Sequence, residues 1–164
     1  MQLTAIFTAL AAILPLTKAQ TYTGLFAIGN HCGSPIYMWT IADQVSDRIT
    51  LLNSDPEYIH RNTMKSDGGG VAIAISKDPN GLYNGAPRLI LAYTLDMRGP
   101  PGSGTIWYEL NTENGSPFEG EKLLLAGDAC PSIEWDDGKE PETQVLKYCN
   151  PVGVNMWLAL CSSL

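Results

Sequence analysis

The chain has 164 residues, 45% of them apolar and 16% charged, and ten Lys and Arg stand against seventeen Asp and Glu for a formal charge of -7. That length fits one ordinary domain, and the apolar share is enough to build its core in a chain too weakly charged for disorder. The negative sign opposes a phosphate backbone or an anionic bilayer, so nucleic-acid and peripheral membrane binding are excluded as leading functions.

Residues 1–19 are different material from the rest. They carry no acid, Lys18 is their only base, and the run 3–16 is apolar apart from Thr4 and Thr8. An apolar stretch of about 14 residues falls short of the roughly 20 that a spanning helix needs. Thr17 and Ala19 put small residues at the -3 and -1 positions of a cleavage before Gln20. The pattern predicts a secretory signal peptide over 1–19 and a single exported domain over 20–164, with an uncleaved signal anchor as the competing reading.

Beyond Gln20, the runs 25–28, 36–39, 71–75, 89–95, 106–108, 123–125 and 156–160 are short and rich in aliphatic, β-branched and aromatic residues. Turn material at 33–35, 68–70, 78–81, 99–102 and 136–138 separates them, and sixteen Gly with eleven Pro leave little uninterrupted length for helices. Strands at this spacing without alternating helices predict an all-β antiparallel sandwich or barrel with few or no helices. Trp39, Trp107 and Trp157 lie inside these runs and are expected to be buried. Trp135, beside Asp136 and Asp137, is the ring expected to be exposed, and Tyr83, in the loop 80–85, is the second. Exposed rings of this kind stack on sugars or anchor protein interfaces.

Export places Cys32, Cys130, Cys149 and Cys161 in an oxidising compartment, where an even count favours two disulfides and three pairings are open. No two are spaced as CxxC, and His31 and His60 are the only histidines, so zinc has poor ligand support and no metal or other cofactor is expected. The acids Glu134, Asp136, Asp137, Glu140 and Glu142 lack the spacing of a calcium loop and are expected to be solvated. Neither histidine comes with a nucleophile motif, and the glycines 68–70 are not followed by a Lys-Ser/Thr phosphate loop. Asn114-Gly115-Ser116 is the one glycosylation sequon, with Pro117 immediately after it.

The segments 66–76, 81–87, 91–96, 106–110 and 115–120 resemble, in this order, the Blastomyces yeast-phase-specific protein family of secreted fungal proteins. That family looks like a reduced member of the thaumatin-like superfamily, whose central piece is a flattened β-sandwich. The segments 26–32 and 158–161 are similar to the opening and closing strands of thaumatin-like proteins. The resemblance implies that Cys32 pairs with Cys161 and, with it, Cys130 with Cys149.

Larger thaumatin-like proteins have an acidic cleft in which some bind or cleave β-1,3-glucan. Matched residue by residue, the resemblance puts Ala92 where they carry a glutamate, Glu109 at one aspartate and Asn114 at another. Glycoside hydrolysis needs two facing carboxylates, and only Glu109 survives at the matched positions. Asp96, four residues beyond Ala92 and so on the same strand face, is the candidate second acid, or an ordinary partner of Arg98. The expected function is therefore a secreted, monomeric, non-catalytic binding protein, with Trp135, Tyr83, Glu109, Asn114 and Asp96 as candidate binding residues. The expected partner is a neutral glycan such as β-glucan, or a host protein. The alternatives are a weak β-1,3-glucanase using Glu109 and Asp96, and a structural wall or spore coat protein.

Overall fold

The computed structural model describes residues 23–100, 103–143 and 145–162. The predicted signal peptide lies outside them. Among the described residues eleven strands form and no helix: β1 (Leu25–Asn30), β2 (Ile36–Ile41), β3 (Ile49–Leu51), β4 (Tyr58–Arg61), β5 (Val71–Ser76), β6 (Arg88–Asp96), β7 (Thr105–Glu113), β8 (Leu123–Gly127), β9 (Cys130–Trp135), β10 (Lys147–Cys149) and β11 (Asn155–Leu160). They build a five-stranded sheet in the order β4-β1-β11-β8-β9 and a six-stranded sheet in the order β10-β7-β6-β5-β2-β3.

Alternation along the strands decides what each sheet buries. In β7, Ile106, Tyr108 and Leu110 are fully buried, while Trp107, Glu109 and Asn111 point to the outer face. In β11, Met156, Leu158 and Leu160 are likewise buried and Trp157 points out. Both sheets therefore present an aliphatic inner face, and packing these faces together makes the core.

Two expectations need correction. The sandwich is antiparallel except for one pair: β1 and β11 run parallel, in register from Leu25–Asn155 to Asn30–Leu160. These strands stand at opposite ends of the described chain, so the whole intervening fold serves as the long crossover that a parallel pair requires. The tryptophans are also reversed. Trp135 shares the inward phase of Ile133 in β9 and is only 3% exposed, whereas Trp107 and Trp157 share the outward phase of polar or small neighbours and are 37% and 38% exposed. Trp39 is buried as expected, at 2%.

The disulfides are Cys32–Cys161 and Cys130–Cys149. The first closes the ends of the parallel pair β1 and β11, and the second ties β9 of one sheet to β10 of the other. With sequence separations of 129 and 19 residues, loop entropy assigns them about 5 and about 3 kcal/mol. Two phenols add polar ties between the sheets. Tyr108 donates its hydroxyl to the Pro131 carbonyl, and burial pushes its pKa up to about 12. Tyr93 on β6 meets Nε2 of His60 on β4 at 2.8 Å and accepts the Thr63 N–H at 3.0 Å.

Candidate functional site

The outer face of the six-stranded sheet is not flat. At one end the loop 77–87 folds over it, where Arg88 donates to the carbonyls of Gly81 at 2.6 Å and Leu82 at 3.1 Å and pairs with Glu113 at 2.8 Å. Tyr83 in that loop meets Trp39 edge-on with ring centroids 6.3 Å apart, which covers Trp39 and leaves Tyr83 itself 73% exposed. Beyond this cover the sheet opens into a groove of about 560 Å³.

Register sets the groove floor. Ile41, Ala72, Ala92 and Glu109 are successive partners across β2, β5, β6 and β7, so two methyl groups lie between an aliphatic wall and a carboxylate. The position facing Glu109, which the resemblance fills with an acid in larger relatives, is the methyl of Ala92. Two residues along, Thr94 faces Trp107, whose other register partner is Tyr148 on β10. The Trp107 and Tyr148 rings stand 5.0 Å apart at 41°, and Tyr148 is half exposed. Leu146 closes the Glu109 side, and the loop 62–70 walls the other side with Lys65 and Gly70. Gly70 allows the loop this close approach, because a Cβ would come within 2.9 Å of Thr94 Oγ1 and 3.3 Å of the Tyr93 carbonyl and would force Thr94 to move. The root of that loop is the Thr63 amide held by Tyr93 beneath the sheet.

Little net charge lines this surface. Lys65 pairs with Asp67 at 3.4 Å. Asp96 is held by Arg98 in a two-pronged contact, Nε to Oδ1 at 2.9 Å and Nη2 to Oδ2 at 2.6 Å, and the Arg98 amide adds a third bond at 3.0 Å. These bonds hold the Asp96 carboxyl down at about 2, so it carries no proton to donate at ordinary pH. Glu109 makes no hydrogen bond or ion pair among the described residues.

Residues 13–162 match the model of the Blastomyces yeast-phase-specific protein family. The chain belongs to that family. This family member is 25% identical over 132 residues to the antigenic thaumatin-like protein of Arthroderma benhamiae, an alignment covering 79% of the chain and 63% of that relative. The chain thus spans less than two thirds of that relative's length. The crystal structure of the protein elicitor MoHrip2 from Magnaporthe oryzae is similar with a TM-score of 0.63 at 18% identity, covering 85% of this chain and 99% of that one. The two share the fold, and in this chain that fold is a disulfide-bonded, all-β sandwich of the thaumatin-like kind.

In this member of the yeast-phase-specific family the structure brings only part of the expected site together. Glu109 lines the groove and Asp96 stands on the same face, as their strand phase requires. Their register partners, Ala92 and Thr105, lie four residues apart on the paired strands, which separates the two acids by about 13 Å along the sheet. Glycoside hydrolysis uses carboxylates about 5 to 9.5 Å apart, a spacing shorter than this separation of their strand positions. Asn114 sits in the turn after β7 at φ 59°, five residues past Glu109 and away from the groove. Trp135 is corrected from binding candidate to core, and Tyr83 is exposed on the loop cover without lining the groove. Sequence reasoning missed Trp107, Tyr148 and Leu146. For Trp107 the signal was present, since it falls in the polar phase of β7 with Thr105, Glu109 and Asn111.

The acidic segment after β9 is engaged rather than simply solvated. Lys122 pairs with Glu134 and, at 3.4 Å, with Asp136. Glu140 accepts the amide of Thr112 at 2.6 Å and its hydroxyl at 2.8 Å, which fixes the segment to the end of β7. Among the described residues no group of three His, Cys, Asp or Glu side chains is placed to hold a metal ion.

Proposed function

We propose that this chain is an extracellular fungal protein that binds a neutral cell-wall polysaccharide, a β-glucan, on the outer face of its six-stranded sheet and does not cleave it. The observation that carries this reading is the Trp107–Tyr148 pair standing exposed beside a groove with an alanine floor and an unpaired carboxylate. Aromatic rings supply flat apolar surface at low conformational cost, and Glu109 supplies an acceptor for hydroxyl groups. Two disulfides suit an oxidising extracellular setting. The names of the relatives, an antigen and an elicitor, suit a protein displayed to a host.

A protein target is the second reading. Leu146, 49% exposed on the groove wall, favours it because it widens the apolar surface beyond the aromatic pair. Calorimetric titration of the mature protein with β-1,3-glucan oligomers separates the two. Binding that varies little between about 50 and about 500 mM salt is expected of a neutral ligand. Failure to bind any neutral oligomer, together with salt-sensitive capture by a protein partner, would establish the second reading instead.

A further inference from the structure

The groove does not end at Trp107. A second depression of about 510 Å³ lies on the far side of the same ring, lined by Thr94, Trp107, Asp96, Met97, Arg98 and Met64. Thr94 and Trp107 line both depressions, so the two adjoin along β6 and β7 with the aromatic ring at their junction, and we treat them as one channel. The loop 62–70 contributes to both, through Lys65 and Gly70 on one side of Trp107 and Met64 and Gly68 on the other. Glu109 stands at one end and the Asp96–Arg98 pair at the other.

We propose that this channel is a single track for a linear chain of neutral sugars, with the Asp96–Arg98 ion pair as its distal subsite; the proposal rests on the neutral-glycan reading above. The strand positions of the two acids are further apart than the carboxylates that cut a glycosidic bond, and that same distance brackets an oligomer. Strand positions about 13 Å apart along the sheet are more than one pyranose ring spans, whereas a chain of rings lying over Trp107 reaches towards both. The chemistry of the far end suits a hydroxyl group, which is donor and acceptor at once. Asp96 Oδ1 is filled by the Arg98 amide and Nε, while Oδ2 keeps a lone pair beyond its single Arg98 bond, and the Arg98 side chain, 91% exposed, keeps N–H groups facing solvent. The bidentate fork fixes both groups before the ligand arrives, so little ordering is left to do on binding. Since the pair cancels its own charge and Lys65 is paired with Asp67, Glu109 is the one uncompensated charge among the channel's described residues, too little for a polyanion or a polycation.

The test is the chain-length dependence of affinity, measured by calorimetry with β-1,3-glucan oligomers from dimer to hexamer on wild type, Arg98→Ala and Asp96→Asn. Arg98 projects into solvent, so its truncation leaves the core untouched, and a melting curve confirms that each variant folds. Wild type is expected to bind the hexamer at least about tenfold more tightly than the dimer, a difference in keeping with one added anchoring contact. In both variants that advantage should shrink to about threefold or less. If affinity is independent of length in wild type while Trp107→Ala still weakens binding, the distal subsite is wrong and the groove reading stands. An unchanged length dependence in both variants also overturns the subsite. No binding of any oligomer overturns both.

Discussion

The two outer faces of the sandwich each carry a tryptophan of nearly equal exposure, Trp107 at 37% and Trp157 at 38%, yet their surroundings differ. Trp157 stands in the row Ile59, Ala27, Trp157, Ala126 across β4, β1, β11 and β8. Ala27 points outward in that row and is only 2% exposed. Trp107 has a second ring beside it, a groove on either side, an unpaired acid at one end and an ion pair at the other. Exposure of a ring is common on protein surfaces and by itself assigns nothing. What distinguishes the six-stranded face is that register gathers an aromatic pair, small residues and hydrogen-bonding groups along one line.

The largest effect expected is on the ring that belongs to neither face. Trp135→Ala should destabilise the protein by about 3 to 5 kcal/mol in denaturant titration, the cost of emptying a packed aromatic site. Affinity per folded molecule should not change. A variant of near wild-type stability with weakened glycan binding would return Trp135 to the surface and reverse the assignment of faces.

Next in size is the polar tie beneath the groove. Burial lowers the pKa of His60 from its ordinary 6.5 to about 4. The neutral ring shares a hydrogen bond with the Tyr93 hydroxyl at Nε2, and protonation makes Nε2 a donor to a hydroxyl that already accepts the Thr63 N–H. Because the unfolded chain takes up the proton first, the stability from His60 is complete above about pH 6.5, falls as pH drops towards 4, and is lost below it. The integrated loss is about 3 kcal/mol. Chemical denaturation at stepped pH should show this fall in wild type and not in His60→Gln. Since Tyr93 also holds Thr63 at the root of the groove-wall loop, glycan affinity should decline over the same range. Stability that is flat between pH 6.5 and 4 would show that the imidazole is already charged or solvated.

The smallest signal expected is an absence. Reducing-sugar release from β-1,3-glucan should stay at the buffer level, because Asp96 is locked to Arg98 and stands about 13 Å along the sheet from Glu109. Release that disappears in Glu109→Gln would make the groove catalytic.

Much of this architecture was legible in the residues. The strand runs, the Gly and Pro breaks between them and the family segments led to the sandwich, and the resemblance led to both disulfides. An apolar run such as 106–108 does not by itself separate the buried ring from the exposed one. The period of two through Thr105, Trp107, Glu109 and Asn111 places Trp107 on the polar side. The same alternation places Trp135 inward with Ile133 and Trp157 outward with Asn155. Two features were not accessible to local pattern. The meeting of Trp107 with Tyr148 depends on β10 pairing with β7 across 41 positions of sequence, and the separation of Glu109 from Asp96 depends on the register of β6 with β7. Strand phase gives the face on which a side chain stands, and register gives its neighbours.

The most direct test of the central claim is a side-by-side calorimetric titration of Trp107→Ala and Trp157→Ala with a β-1,3-glucan hexamer. Trp107→Ala should weaken binding by about 1 to 3 kcal/mol, as expected for loss of an aromatic anchor, and Trp157→Ala should bind as wild type does. Equal losses in the two variants, or a loss confined to Trp157→Ala, would contradict the assignment of the binding face to the six-stranded sheet.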